Sequence, residues 1–238
     1  MLLRPRSATP VAYTAVYTLP PMVYSASMFD VKRTDAFDGW LKGLKDSKGR
    51  TKIQARIDRL ANGNPGDVGL IGEGLSELRI DFGPGYRVYY ARAGKTVYLL
   101  LCGSDKGSQD ADIKERTRDV ERIEPAGQKA GQEGVTMASK SKRRKIKVAP
   151  YDSADYLKTE ADIKNYLEAV FEEPVDRQML IHTLGVVARA RGMMKLSKDT
   201  GITRAGLYKA LSPSGNPSFE TVTKIVGAFG MRLSAQAA

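Results

Sequence analysis

The stretch Leu196–Leu211, "LSKDTGITRAGLYKAL", constrains the fold of this chain more than any other. Leu196 and Thr200 repeat at one helical turn, and Gly201 then interrupts the periodicity before Leu207, Ala210 and Leu211 restart it. A glycine at the break can take the left-handed backbone needed to join two helices at a steep angle, and Ile202 beside it supplies an apolar plug under the turn. Thr203 is a natural N-cap for the second helix. The pattern predicts a helix-turn-helix. It leaves Thr203, Arg204, Ala205, Tyr208 and Lys209 on the outer side of the second helix, near its start. Side chains so placed reach base edges and phosphates when such a helix lies in the major groove, which makes operator DNA the expected partner. The competing reading is a plain helical bundle in which Gly201 only ends a helix.

Charge supports a polyanionic partner. Net charge is +11 over 238 residues, and residues 137–238 hold 17 Lys and Arg against 10 Asp and Glu, including the run Lys140–Lys147. With 42% hydrophobic and 27% charged residues the composition is that of a soluble globular protein. No apolar run is long enough to span a bilayer, so no membrane partner is expected. A single cysteine, Cys102, excludes an internal disulfide and fits a reducing, cytoplasmic setting. The single histidine, His182, argues against a His-based triad or a multi-His metal centre. Neither metal nor cofactor is therefore expected, and any chemistry must use Arg, Lys, Tyr or carboxylates.

Composition shifts divide the chain. Residues 1–27, broken by Pro5, Pro10, Pro20 and Pro21, read as disordered or as an upstream extension ahead of a start at Met28. Residues 28–123 form a first domain that opens on a short strand, "FDVKRT". A helix capped by Asp35 follows, with Phe37, Trp40, Leu41 and Leu44 on one face. A second helix runs from Gly49 through Ile53, Ile57 and Leu60 to a cap at Asn62–Gly63, and the resulting hairpin places its basic residues on the outer face. A three-stranded antiparallel meander with turns at Gly83–Gly85 and Ala93–Gly94 comes next, then a charged helix, "DADIKERTRDVERI". Residues 124–150 read as a linker and basic segment, within which Met137 looks like the original start of a second protein. Residues 151–238 are all-helical, beginning with helices over Glu160–Phe171 and Val175–Ala190.

Two resemblances follow from these segments. On "YLKTEADIKNYLEAVFEE" and "LGVVARARGMMKLSKDTGITRAGLYKALSPSGNPSFETVTKIVGAFG", residues 137–238 resemble the HigA-type antitoxins, known in general terms as addiction-module antidote proteins. The resemblance implies an all-α Cro-like domain that homodimerises through its helix-turn-helix region, binds a cognate toxin and represses its own promoter.

On "FDGWLKGLKD", "RIDRLANGNPGD", "GLSELRIDFGPGYRVYY" and "LLLCGSDKGSQDADI", residues 28–123 resemble the RelE/ParE toxin superfamily in its HigB-like, phage-derived killer-protein branch. That resemblance implies an α+β domain of helical hairpin, antiparallel sheet and C-terminal helix. It also implies either a metal-independent mRNA interferase, an endoribonuclease acting on mRNA at the ribosome, or a ParE-like poison of DNA gyrase. For the ribonuclease, Arg87 in "GYRV" matches the family's catalytic arginine and Lys106 in "SDKGSQ" its basic position after the last strand. Arg79, on the adjacent strand, would complete a phosphate clamp with Arg87. Among Tyr86, Tyr89 and Tyr90 only one strand face can serve; Tyr90 is read as a core residue and Tyr89 as the candidate to stack on a base or move a proton. "IKERTRDVERI" offers no tyrosine where some ribonuclease members carry one, which keeps the gyrase reading open.

The whole chain thus reads as a toxin followed by its antitoxin, paired within or between chains. The acidic segment Asp152–Glu173 is expected to oppose Arg79, Arg87 or Lys106. The alternative is a DNA-binding repressor whose toxin half is inactive.

Overall fold

Residues 29–72, 74–93, 97–105 and 147–233 are described by the computed structural model. Strand β1, Asp30–Thr34, runs directly into helix α1, Asp35–Gly43. The cap is Thr34, whose side chain accepts from the Phe37 amide; Asp35 instead lies in the first turn, where its charge suits the helix dipole. Helix α2, Ser47–Ala61, is capped by Asp46 and closed at Asn62, with Gly63 in a left-handed conformation beyond it. Phe37, Leu41, Ile53, Ile57 and Leu60 are buried at helical spacing against the sheet.

Among the described residues the sheet has six strands in the order β2-β3-β4-β5-β1-β6. Strands β2 (Val68–Gly72), β3 (Leu75–Ile80), β4 (Tyr86–Ala93) and β5 (Val97–Asp105) are antiparallel neighbours. The predicted meander accounts for β3 to β5. β1 adds to β5 in parallel, and β6, Val148–Pro150, pairs antiparallel with β1. β6 falls in the stretch read from sequence as linker: three exposed residues carry no periodicity, and only backbone pairing makes them a strand. Leu78, Val88, Tyr90 and Leu100 face α1 and α2, whereas Leu75, Tyr89, Leu101 and Cys102 pack together on the opposite face.

A short 3₁₀ turn, Ser153–Tyr156, leads into helices α3 (Glu160–Phe171), α4 (Arg177–Arg191), α5 (Met193–Thr200), α6 (Arg204–Ala210) and α7 (Phe219–Ala228). Helix α4 starts two residues after the expected Val175 because Asp176 caps it through the Met179 amide. Tyr166, Leu184, Val187, Leu196, Leu207 and Ile225 form the helical core, and Ala55 of α2 is built into it. No described helix is long and apolar enough to cross a membrane. The predicted charged helix after β5, residues 1–27 and the linker 124–136 lie outside the described residues.

Candidate functional site

Helices α5 and α6 are joined at Gly201, whose φ of 70° ends α5 in the left-handed region. Leu196, Thr200, Leu207 and Leu211 are buried between them, and Ile202 is half-buried against the same core. The Ser197 hydroxyl donates to the Ile202 carbonyl at 2.6 Å, tying α5 to the turn. Thr203 caps α6 through the Gly206 amide. Arg204, Ala205, Tyr208 and Lys209 line one shallow open surface together with Ser212; Arg204, Ala205 and Lys209 are exposed and Tyr208 is half-buried.

On the sheet, Arg79 of β3 and Arg87 of β4 stand directly opposite each other. Two like charges in that register repel unless a counter-charge lies between them. Glu77, nearly inaccessible, supplies it: Oε1 lies 2.8 Å from Arg79 Nε and Oε2 lies 3.9 Å from Arg87 Nε. Gly69, the register partner of Glu77 on β2, leaves room for this triad, since a Cβ there would run into Arg79 Nη2 and the Glu77 carboxylate. Tyr89 shares the face of Arg79 and Arg87, but its ring is fully buried and its hydroxyl is 3.4 Å from Ser104 Oγ. That burial takes it out of reach of a substrate base, contrary to the sequence expectation. Tyr86 and Tyr90 belong to the opposite, helix-covered face. Burial first, then the Asp46 carboxylate, pushes the Tyr86 phenol up to about 12. Lys106 lies outside the described residues.

The most developed polar arrangement lies elsewhere, where α2 packs along α3. Asp58, almost completely buried, accepts from Tyr166 Oη at 2.6 Å, and its Oδ1 lies 3.1 Å from His182 Nε2 on α4. Arg59, equally buried, donates to the carbonyls of Val170 (2.8 Å), Glu173 (3.2 Å) and Pro174 (3.3 Å). It thereby satisfies main-chain acceptors that the end of α3 leaves open. Gln54 donates to the Ser153 carbonyl at 3.1 Å. Asp162 takes Arg50 Nη2 at 2.9 Å and Ser47 Oγ at 3.0 Å while completing a capping box with Thr159. At the sheet edge Arg33 donates to the Pro150 carbonyl and pairs with Asp155, and Tyr156 Oη donates to Asp38. Asp155, Asp162, Glu172 and Glu173 of the acidic segment therefore pair with Arg33, Arg50, Lys52, Arg56 and Arg59 rather than with the expected Arg79 or Arg87, and Lys106 lies outside the described residues. The basic face of the helical hairpin, expected to point outward, is a docking face.

A family model described as "Probable addiction module antidote protein" matches residues 147–237. An uncharacterized protein of Haemophilus influenzae is 49% identical over 85 residues, 36% of this chain and 86% of that protein. The chain belongs to this antidote family. A second uncharacterized protein of the same organism is 41% identical over 86 residues, again 36% of this chain and 88% of that one. No solved structure matches the chain. The matched span begins one residue before β6 and takes in all five C-terminal helices, so the antidote segment includes the strand that completes the sheet. An addiction-module antidote implies a toxin partner.

The antidote segment grips the other half of the chain through groups whose protonation is strongly biased. Burial drives the Tyr166 phenol well above its ordinary value, and the Asp58 charge adds to this, so the hydroxyl stays a donor. Burial raises the Tyr156 phenol likewise, reinforced by its bond to Asp38. At Asp162 burial acts upward, but hydrogen bonds from Thr159, Arg50 and Ser47 outweigh it and hold the carboxyl below the usual range. Within the antidote segment itself, Asp152 is held low in the same way, burial being outweighed by the two-point contact from Arg189. Sequence reading missed Gln54, Asp58 and Arg59. Their only signal was polar spacing beside the Ile53–Ile57–Leu60 stripe, which a solvated helix face shares.

Proposed function

We propose that the chain is a toxin–antitoxin fusion in which residues 28–123 are a RelE/ParE-type, HigB-like toxin and the antidote segment neutralises it within the same polypeptide. One observation carries the reading: the face to which the antidote segment docks is supplied by the N-terminal half of its own chain, through Asp58, Arg59 and the β1–β6 pair. Buried, hydrogen-bonded charges such as Asp58 and Arg59 are costly unless their partners are always present, which favours an obligate pairing over a chance one. The activity favoured is metal-independent mRNA cleavage, with Arg79 and Arg87 clamping phosphate. The helix-turn-helix reads operator DNA through Arg204 and Lys209, as a homodimer that represses its own promoter.

A second reading has its own support. Glu77 binds Arg79 and lies beside Arg87, and Tyr89 is inaccessible, which favours a repressor with an inactive toxin half. Expressing residues 28–136 in bacteria, with and without residues 137–238 from a second plasmid, separates the two. Growth arrest with cleaved mRNA, relieved by the second plasmid, is expected. Arrest with gyrase-linked DNA breaks would replace the ribonuclease by a gyrase poison, and unimpaired growth would leave the repressor. In gel shifts with the chain's own promoter, Arg204→Ala or Lys209→Ala is expected to weaken binding roughly tenfold; unchanged shifts would sink the recognition-helix assignment.

A further inference from the structure

Beside the docking face, an open cleft of about 260 Å³ lies between α2, the end of β3 and the end of α3. Among the described residues of the N-terminal half it is lined by Lys52, Arg56, Arg59 and Arg79, with Asp67 and Asp81 as the acidic groups. The antidote segment contributes Glu172 and Glu173, whose two charges cancel the excess. The four cations are not equally engaged. Arg59 donates to main-chain carbonyls and its Nη1 lies 3.5 Å from Glu173, and Arg79 is bound to Glu77 while its Nη1 lies 3.7 Å from Asp67. Lys52 pairs with Glu172 and sits 5.4 Å above the Phe82 ring. Arg56 is under-used: Nη1 is 3.6 Å from Glu173, Nη2 is 3.5 Å from the Asp67 carbonyl, and its buried Nε has no acceptor.

A guanidinium offers five N–H donors in a fixed fork, and a half-buried one left this loosely held has capacity for a better acceptor. The side chains of Glu172 and Glu173 are 54% and 53% exposed, so their ion pairs are the weak, displaceable kind. The Glu173 carbonyl, by contrast, is held by Arg59. Phe82, half-buried beside Lys52, adds an aromatic face to the cationic one, the combination that single-stranded nucleic acid binds through phosphate and base stacking together.

We propose that Lys52, Arg56 and Phe82 form a binding cleft for the phosphodiester backbone of single-stranded RNA, and that Glu172 and Glu173 of the antidote segment plug it as carboxylate stand-ins for phosphate. The choice of RNA rests on reading the N-terminal half as an RNA-directed toxin. Arg87 and Tyr89 do not line the cleft, which meets the arginine pair only through Arg79, so it positions a strand and does not cleave it.

Fluorescence anisotropy of a labelled oligouridylate against the full chain tests this at low salt. Glu172→Gln with Glu173→Gln is expected to tighten binding about tenfold, and adding Arg56→Gln is expected to abolish the gain. An unchanged affinity overturns the proposal, as does a gain that survives Arg56→Gln, which would place the RNA elsewhere. Should the double variant melt early, Glu173→Gln alone asks the same question, because Arg59 still holds the main chain. Competition by polyglutamate as strong as by oligouridylate would overturn the assignment to RNA in favour of an acidic protein. Tighter RNA binding without mRNA cleavage in cells would remove the ribonuclease and keep the cleft. Cleavage by residues 28–136 with no gain in the variant would remove the cleft alone.

Discussion

Asp58 is the residue on which the contact between the halves turns. It accepts the Tyr166 hydroxyl, lies against His182 and is shielded from water on α2. Asp58→Ala would leave the Tyr166 donor buried without its acceptor and remove the anion beside His182. A loss of about 2–4 kcal/mol is expected, read as a lowered urea midpoint with unchanged slope. A loss below about 0.5 kcal/mol would mean that the site is open to water in solution. At this scale the sequence was unevenly legible. Gly201 and Thr203 declared their roles because a left-handed turn and an N-cap select few residue types. Ser197 did not, since its bond to the Ile202 carbonyl depends on the turn already being folded. Asp58 and Arg59 were illegible for a related reason: a charge that is buried looks, in sequence, the same as one that is solvated.

At the scale of elements, helix α3 joins the two halves. Asp162 closes the capping box with Thr159 and also pairs with Arg50, so one carboxylate couples helix start to interface. Because its folded pKa is depressed, its contribution is present above the unfolded value of about 3.9 and disappears as pH falls through the lower folded value. Asp38, where burial is outweighed by bonds from Lys42 and Tyr156 and the Arg33 charge, acts in the same direction. The urea midpoint is therefore expected to hold from neutral pH to about 5 and to drop steeply below about 4. Asp162→Asn is expected to lower the neutral-pH midpoint and flatten that drop; an equally steep drop in the variant would assign acid sensitivity to other carboxylates. Helices were readable in sequence because Ile53, Ile57 and Leu60, or Ile163, Leu167 and Val170, repeat at helical spacing. Strands β2 and β6 were not, being short edge strands flanked by Gly or Pro and defined by neighbours distant in sequence.

For the whole molecule, the antidote segment gives a strand to the sheet, packs α3 along α2 and shares its core with Ala55. The division into two parts was visible in composition. Their mode of docking was not, because it is carried by polar pairs between residues more than a hundred positions apart. Neutralisation in cis requires that weakening the antidote side alone should release the N-terminal half. The most direct measurement is growth of bacteria expressing the full chain with Asp162→Arg and Tyr166→Ala, changes confined to the antidote segment. Growth arrest is expected, with recovery when unsubstituted residues 137–238 are supplied in trans. Normal growth of cells accumulating the soluble, folded variant would contradict the claim that this chain holds a toxin in check.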